Sequence, residues 1–253
     1  MIVDDLIKHV VTSESLLLAC SERLKARSDS EALHDLRVAI RQLRSVLRPL
    51  RGFPGIGALE GVAAEIGHRS THLRDTEVLI QELDSRGFAQ LSAARRLALE
   101  NGYDALLCSS EWLLLRSSLA AWPAICRTAK REGQLRELRR HIRKQLAKQR
   151  RKLGKCLRDA GHDRHRLRVL IKRVRYADEV YSALSDLPGK ASKRLKAAQA
   201  ALGDWHDRVQ WLSRAEREAD LQGLRPAWQQ ALAEAERRSD EALAPLLEDY
   251  PAA

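Results

Sequence analysis

The chain has 253 residues, 44% of them hydrophobic and 31% charged, with a formal net charge of +11. That length buries a core, and that composition excludes a disordered chain. No apolar run approaches the roughly 20 residues that span a bilayer, so no membrane partner is expected. The opening MIVDDLIKHV has no basic leader followed by a long apolar run, which predicts no signal peptide. Gly (13), Pro (7), Phe (2) and Tyr (4) are sparse, and the chain is dominated by strong helix formers, which predicts an all-α protein. Cys20, Cys108, Cys126 and Cys156 are scattered without a CxxC pair. They are expected to be reduced, mostly buried thiols of a cytoplasmic protein.

In chain order the periodicity predicts eight helices. The first covers 4–27, with Asp4 and Asp5 at its start. Ser28 and Glu31 have capping-box spacing before a second helix over about 30–48, which Pro49 and Gly52–Gly55 end. A third runs through 57–84 and stops at Gly87. A fourth covers roughly 89–121, with an interruption near Asn101–Gly102 and an end before Pro123. The fifth is a basic stretch over 131–159. The sixth is 163–184 with Asp163 as its N-cap. Pro188–Gly189 precedes a seventh over about 190–219, and Gly223 precedes an eighth, whose first turn Pro226 suits.

Charge is unevenly placed. Arg131 to Arg175 holds 18 Lys and Arg against 4 acids, a net of +14, whereas Glu216 to Asp249 nets −5. A focused field of this kind attracts polyanions. Its focus is a pattern in the second helix: His34, Arg37, Arg41, Arg44 and Arg48. The offsets of three, seven and ten from the histidine return in the sixth helix at His165, Arg168, Lys172 and Arg175. With His34 at 0° and about 100° per residue, the four arginines fall between about 280° and 340°, and Leu36, Ile40, Leu43 and Leu47 between about 180° and 240°. Leu167, Ile171 and Val174 occupy the same sector in the second copy. The cations therefore border the apolar face instead of opposing it, and are expected to line a groove between packed units. From His34 to Arg48 the helix rises about 21 Å, a track suited to a chain of anionic groups. Arg offers a planar fork of donors to phosphate oxygens, and a histidine in an early turn adds a donor near the positive end of the helix.

The repeat extends beyond the stripe. Leu73–Arg74–Asp75 follows the first copy and Trp205–His206–Asp207 the second; His34 to Asp75 is 41 residues and His165 to Asp207 is 42. This predicts duplication of a four-helix unit, 1–125 and 126–253. Together, H34-x-x-R37-x-x-x-R41-x-x-R44, H165-x-x-R168-x-x-x-K172-R173-x-R175-Y176-x-x-E179 and L202-G203-x-x-H206-D207 resemble the CHAD domain, the conserved-histidine α-helical domain, over essentially the whole chain 1–253. The resemblance implies two four-helix bundles related by pseudo-twofold symmetry around a basic groove or pore. It also implies inorganic polyphosphate as partner and association with polyphosphate granules; the first expectation is therefore a cytoplasmic binding module without enzymatic activity or cofactor. Arg173 belongs to the matched motif. Gln42 stands where the first motif is often basic, and His206 where Asn is commoner. A fused triphosphate-tunnel domain would need a β-tunnel and an ExExK strand. Glu234-x-Glu236-x-Arg238 is only a superficial match in a helical segment, so triphosphatase activity is not carried over.

Other cations extend the candidate surface. Arg136, Arg140, Arg143, Arg150 and Arg151 fall within about 100° of one another on a helix, and Arg74, Tyr176, Lys193 and Lys196 are further secondary candidates. Two other functions compete. Nucleic-acid binding is permitted by charge, but the basic face lacks interleaved aromatics and no known motif appears. A metal phosphohydrolase is suggested by His206–Asp207 and by His68, His72 and Asp75 on one helical face, yet it needs further converging ligands, and no metal site is expected.

Overall fold

The computed structural model describes residues 2–159, 161, 163–185 and 187–250. All regular structure among them is helical. The α-helices are α1 (Ile2–Ala26), α2 (Ala32–Leu47), α3 (Ile56–Ser85), α4 (Ala89–Leu107), α5 (Ser110–Arg131), α6 (Leu138–Leu157), α7 (Arg164–Val180), α8 (Gly189–Ala215), α9 (Arg225–Leu243) and α10 (Leu246–Asp249). Short 3-10 turns cover Arg48–Leu50, Ser182–Leu184 and Ala219–Leu224. The chain forms two compact units, Met1–Ile142 and Arg143–Ala253, which divide within α6.

In the first unit α2 packs on α1 and α3, and α3 packs on α4 and α5. The helix angles read from the sequence hold here: Leu36, Leu43 and Leu47 are fully buried and Ile40 nearly so. In the second unit α7 packs on α8, and α8 on α9. Leu167, Ile171 and Val174 of α7 join Leu195 and Leu202 of α8, Leu243 and Leu246, and Leu153 and Cys156 of α6 in one core. Cys20, Cys126 and Cys156 are buried free thiols, and Cys108 is exposed.

The largest departure lies in the expected fourth helix. It is two helices, and the break is not at Gly102 but at Ser109, whose hydroxyl caps α5 by accepting from the Trp112 N–H at 3.2 Å. Gly102 instead sits inside α4, where a Cβ would stand 2.3 Å from Leu73 Cδ2; the glycine permits the close approach of α4 to α3. The first unit therefore contains five long helices rather than four. Nor does the chain stop at Pro123, which lies inside α5. Trp112, Leu115, Leu119, Trp122, Cys126 and Ala129 are buried along one side of that helix. Burial on this scale outweighs the roughly 3 kcal/mol that an interior proline costs.

The basic fifth segment also begins later than expected. Gly133 adopts φ +75°, the Gln134 N–H donates to Ala129 O at 3.0 Å and the Gly133 N–H to Lys130 O at 3.2 Å. This is a Schellman stop that only a residue tolerant of left-handed backbone fits. Arg136 consequently lies outside α6. The capping box at Ser28 and Glu31 does not form: the Glu31 N–H donates to Asp29 Oδ1 at 2.8 Å, and α2 has no side-chain cap of its own. Asp163 does cap α7, accepting from the His165 N–H at 2.8 Å, and Pro226 sits in the first turn of α9.

The Asp163 cap fixes where the second stripe begins. Asp163→Ala should lower stability by about 1 kcal/mol, and Asp163→Asn by less, since the amide oxygen still accepts. Equilibrium denaturation measures both. An alanine variant as stable as the parent would show that the cap contributes nothing.

Candidate anion-binding site

In the first unit the stripe residues His34, Arg37, Arg41 and Arg44 on α2, and Arg48 in the 3-10 turn that follows it, are all half-buried. The partner helix α3 supplies their surroundings. Arg37 Nη1 donates to Gly67 O at 3.0 Å and to the Ser70 hydroxyl at 2.7 Å. Both of these acceptors are neutral. The backbones approach where α3 carries Gly67; a Cβ there would be 3.5 Å from both Arg44 Nη1 and Ile40 Cγ2. Arg44 and Arg48 both reach Glu60 Oε1 at 3.4 Å, and Arg51 Nε reaches Glu60 Oε2 at 3.2 Å. Burial pushes the Glu60 carboxyl up. The hydrogen bond from Arg51 and the charges of Arg51, Arg44 and Arg48 more than offset this and hold it below the usual carboxylate range.

At the other end of the stripe, His34 lies in the field of Arg74 and Arg41. Burial first, and then those two charges, push its pKa down, which favours neutral imidazole in the fold. Arg74 pairs with the buried Glu77 at 2.9 Å, and Glu77 also accepts from the Tyr103 hydroxyl at 2.6 Å. Burial raises the Glu77 carboxyl despite both hydrogen bonds. Glu77 also lines a hollow of about 450 Å³ between the end of α1, α3 and α4, floored by Leu24, Ile80, Leu99 and Tyr103. That hollow is separate from the stripe.

The second unit repeats the antiparallel placement of a stripe helix against its successor. His165 at the start of α7 is exposed, and its ring lies 5.8 Å from that of His206 on α8. Burial, with the charges of Arg168, His165 and Lys172 beside it, pushes His206 down to about 3. Farther along, Arg175 Nε donates to Gln199 Oε1 at 2.8 Å. Arg175 also pairs with Glu179, and its guanidinium lies 4.1 Å from the Tyr176 ring centroid. Arg168, Lys172 and Arg173 are half-buried on the same helix. Tyr176 is buried, so its ring contributes packing and a face for Arg175.

The secondary candidates divide. Arg74 stands beside His34, as described. Arg136, Arg140, Arg143 and Arg151 are exposed and Arg150 is half-buried; Arg140 pairs with Glu137 at 3.6 Å. Lys193 and Lys196 are exposed on α8, and Lys196 precedes His206 by ten residues, about 15 Å of helix. The structure thus places these two lysines apart from the histidine pair. His68 and His72 are exposed, and among the described residues no group of three or more His, Cys, Asp or Glu side chains could hold a metal. No helix among the described residues is long and apolar enough to cross a membrane.

Glu60, Ser70 and Gln199 were not singled out from the sequence. A signal was present: each occupies a position on the buried side of its helix that periodicity reserves for an apolar residue. Glu60 follows Ile56 by four, and Gln199 follows Leu195 by four.

A histidine kept neutral by the fold makes stability depend on pH with a definite sign. Above its unfolded pKa of about 6.5 the His206 environment carries no penalty. Below it the unfolded chain takes up the proton first, so stability falls as pH drops from about 6.5 toward 3. Thermal midpoints between pH 7 and 4 should therefore decline more steeply for the parent than for His206→Asn. Parallel profiles would remove His206 as a source of that slope.

No curated protein matches the chain in sequence. A crystal structure of the CHAD domain from the plant Ricinus communis superposes with a TM-score of 0.69 at 23% identity, covering 99% of this chain and 92% of that one. PptA from Streptomyces chartreusis superposes with a TM-score of 0.51 at 17% identity, covering 95% and 98% respectively. At these identities the likeness shows a shared fold. The sequence itself matches the CHAD domain model over residues 15–216, and the chain belongs to the CHAD domain family.

Proposed function

We propose that this chain binds inorganic polyphosphate, without a chemical step, through the cation rows of α2 and α7. The observation that carries this reading is the placement of each row. His34, Arg37, Arg41, Arg44 and Arg48, and likewise Arg168, Lys172 and Arg175, stand beside a buried apolar face, and the following helix supplies acceptors that aim Arg37, Arg44, Arg48 and Arg175. A regular row of half-buried guanidinium groups suits a linear ligand with a charge on every repeat unit. Membership of the CHAD family supports the same ligand. A duplicated pair of binding surfaces, and association with polyphosphate granules, belong to this proposal.

The competing ligand is a nucleic-acid backbone. Long-chain polyphosphate titrated at near-physiological salt, in competition with single-stranded RNA at equal phosphate concentration, separates the two. Binding that RNA does not displace supports polyphosphate, and equal competition overturns the selectivity. Arg37→Glu combined with Arg168→Glu should abolish polyphosphate binding while far-ultraviolet circular dichroism is unchanged. Unaltered affinity in that double variant would refute the site.

Protons should also follow the ligand. A polyanion beside His34 and His206 favours their charged forms, so binding takes up protons and tightens as pH falls below 7. Calorimetry in two buffers of different ionisation enthalpy measures the uptake, which His206→Asn should reduce.

A further inference from the structure

The Arg48 end of the α2 row already holds an anion. Glu60, on the second turn of α3, is 6% exposed and receives Arg44, Arg48 and Arg51. Three cations around one carboxylate leave a net charge of about +2. The contacts from Arg44 and Arg48 are 3.4 Å long, well beyond the roughly 2.8 Å of a tight charge-assisted hydrogen bond. Both arginines thus share the carboxylate loosely. Arg51 is 62% exposed, so it is the cation of the cluster that an arriving anion meets first.

The second unit handles the comparable cation differently. Arg175 is fixed by the neutral Gln199 amide and by Glu179, a half-exposed carboxylate on its own helix.

We propose that Glu60 is an internal counter-anion that occupies the Arg44–Arg48–Arg51 cluster in place of a ligand phosphate, and so limits how far along α2 a polyphosphate chain is gripped. This rests on the polyphosphate reading above and adds to it a residue that tunes affinity. A phosphate entering the cluster competes with the Glu60 carboxylate for the same donors. While Glu60 is ionised, the ligand is held chiefly toward the His34 end. Without that charge the grip extends across the whole row. The opposite possibility is that Glu60 serves the ligand by aiming the three arginines, and the two differ in sign.

Glu60→Gln keeps the size and one acceptor oxygen but removes the charge. Polyphosphate affinity should be measured for the parent and for Glu60→Gln at several salt concentrations. The expected result is several-fold tighter binding at low salt and a plot of log K against log salt that is steeper by about one, because one more ligand charge is neutralised by the protein. Equal or weaker binding by a folded Glu60→Gln overturns the counter-anion role and leaves the polyphosphate reading standing. Absence of polyphosphate binding by the parent overturns both.

A second measurement needs no variant. The Glu60 carboxyl resonance of the parent is titrated with and without tripolyphosphate. A phosphate competing in the cluster should raise the Glu60 pKa, and an unchanged titration refutes the proposal even if Glu60→Gln fails to fold.

Discussion

The complete burial of one side of α2 determines everything that happens on its neighbouring side. Leu36, Ile40, Leu43 and Leu47 leave the helix no rotational freedom against α1 and α3. The arginines, three and four residues apart, then have only one direction to point. On a helix exposed over half its circumference such arginines would sit opposite the core, hydrated and mobile. Here their stems are half-covered and their charged heads stay close to the rim of the core. Val174 and its neighbours impose the same arrangement on α7.

Crowding like charges in this way is costly, and the molecule distributes the cost through the following helix. Arg37 is fixed by a carbonyl and hydroxyls, Arg74 by a buried carboxylate shared with Tyr103, and Arg44 and Arg48 by Glu60. His34 and His206 take another route and favour the neutral form. Each device leaves a different residual field. Neutral acceptors preserve the charge, a buried carboxylate dims it, and an imidazole regains it only when another anion arrives.

What could be read from the sequence was what a single helix determines for itself. The apolar sector of α2, the angular position of its cations, the Asp163 cap, the proline opening α9 and the overall all-α class follow from spacing and local hydrogen-bonding chemistry. The partners of those cations did not follow. Glu60, Ser70 and Gln199 lie on a different helix from the side chains they hold, and their role depends on which turns face one another after packing. Local rules also failed where burial overruled them. Pro123 did not end α5, because apolar side chains on both sides of it remain buried, and Gly102 is a point of contact and not a break. Conversely, Gly133 closed α5 and delayed the start of α6, which composition would have allowed to begin earlier.

The Asp163 carboxylate accepts the His165 N–H at the entry to α7, and Asp29 accepts the Glu31 N–H just ahead of α2. One main-chain N–H at each of these entries is therefore already taken from within. On the polyphosphate reading proposed above, the ligand is held chiefly by side chains mounted on backbones that packing has already immobilised. The loss of conformational freedom on association then falls on the ligand and on the tips of the arginines, with the helices contributing almost none of it. Under that proposal such a surface reads spacing along a chain rather than the shape of its end.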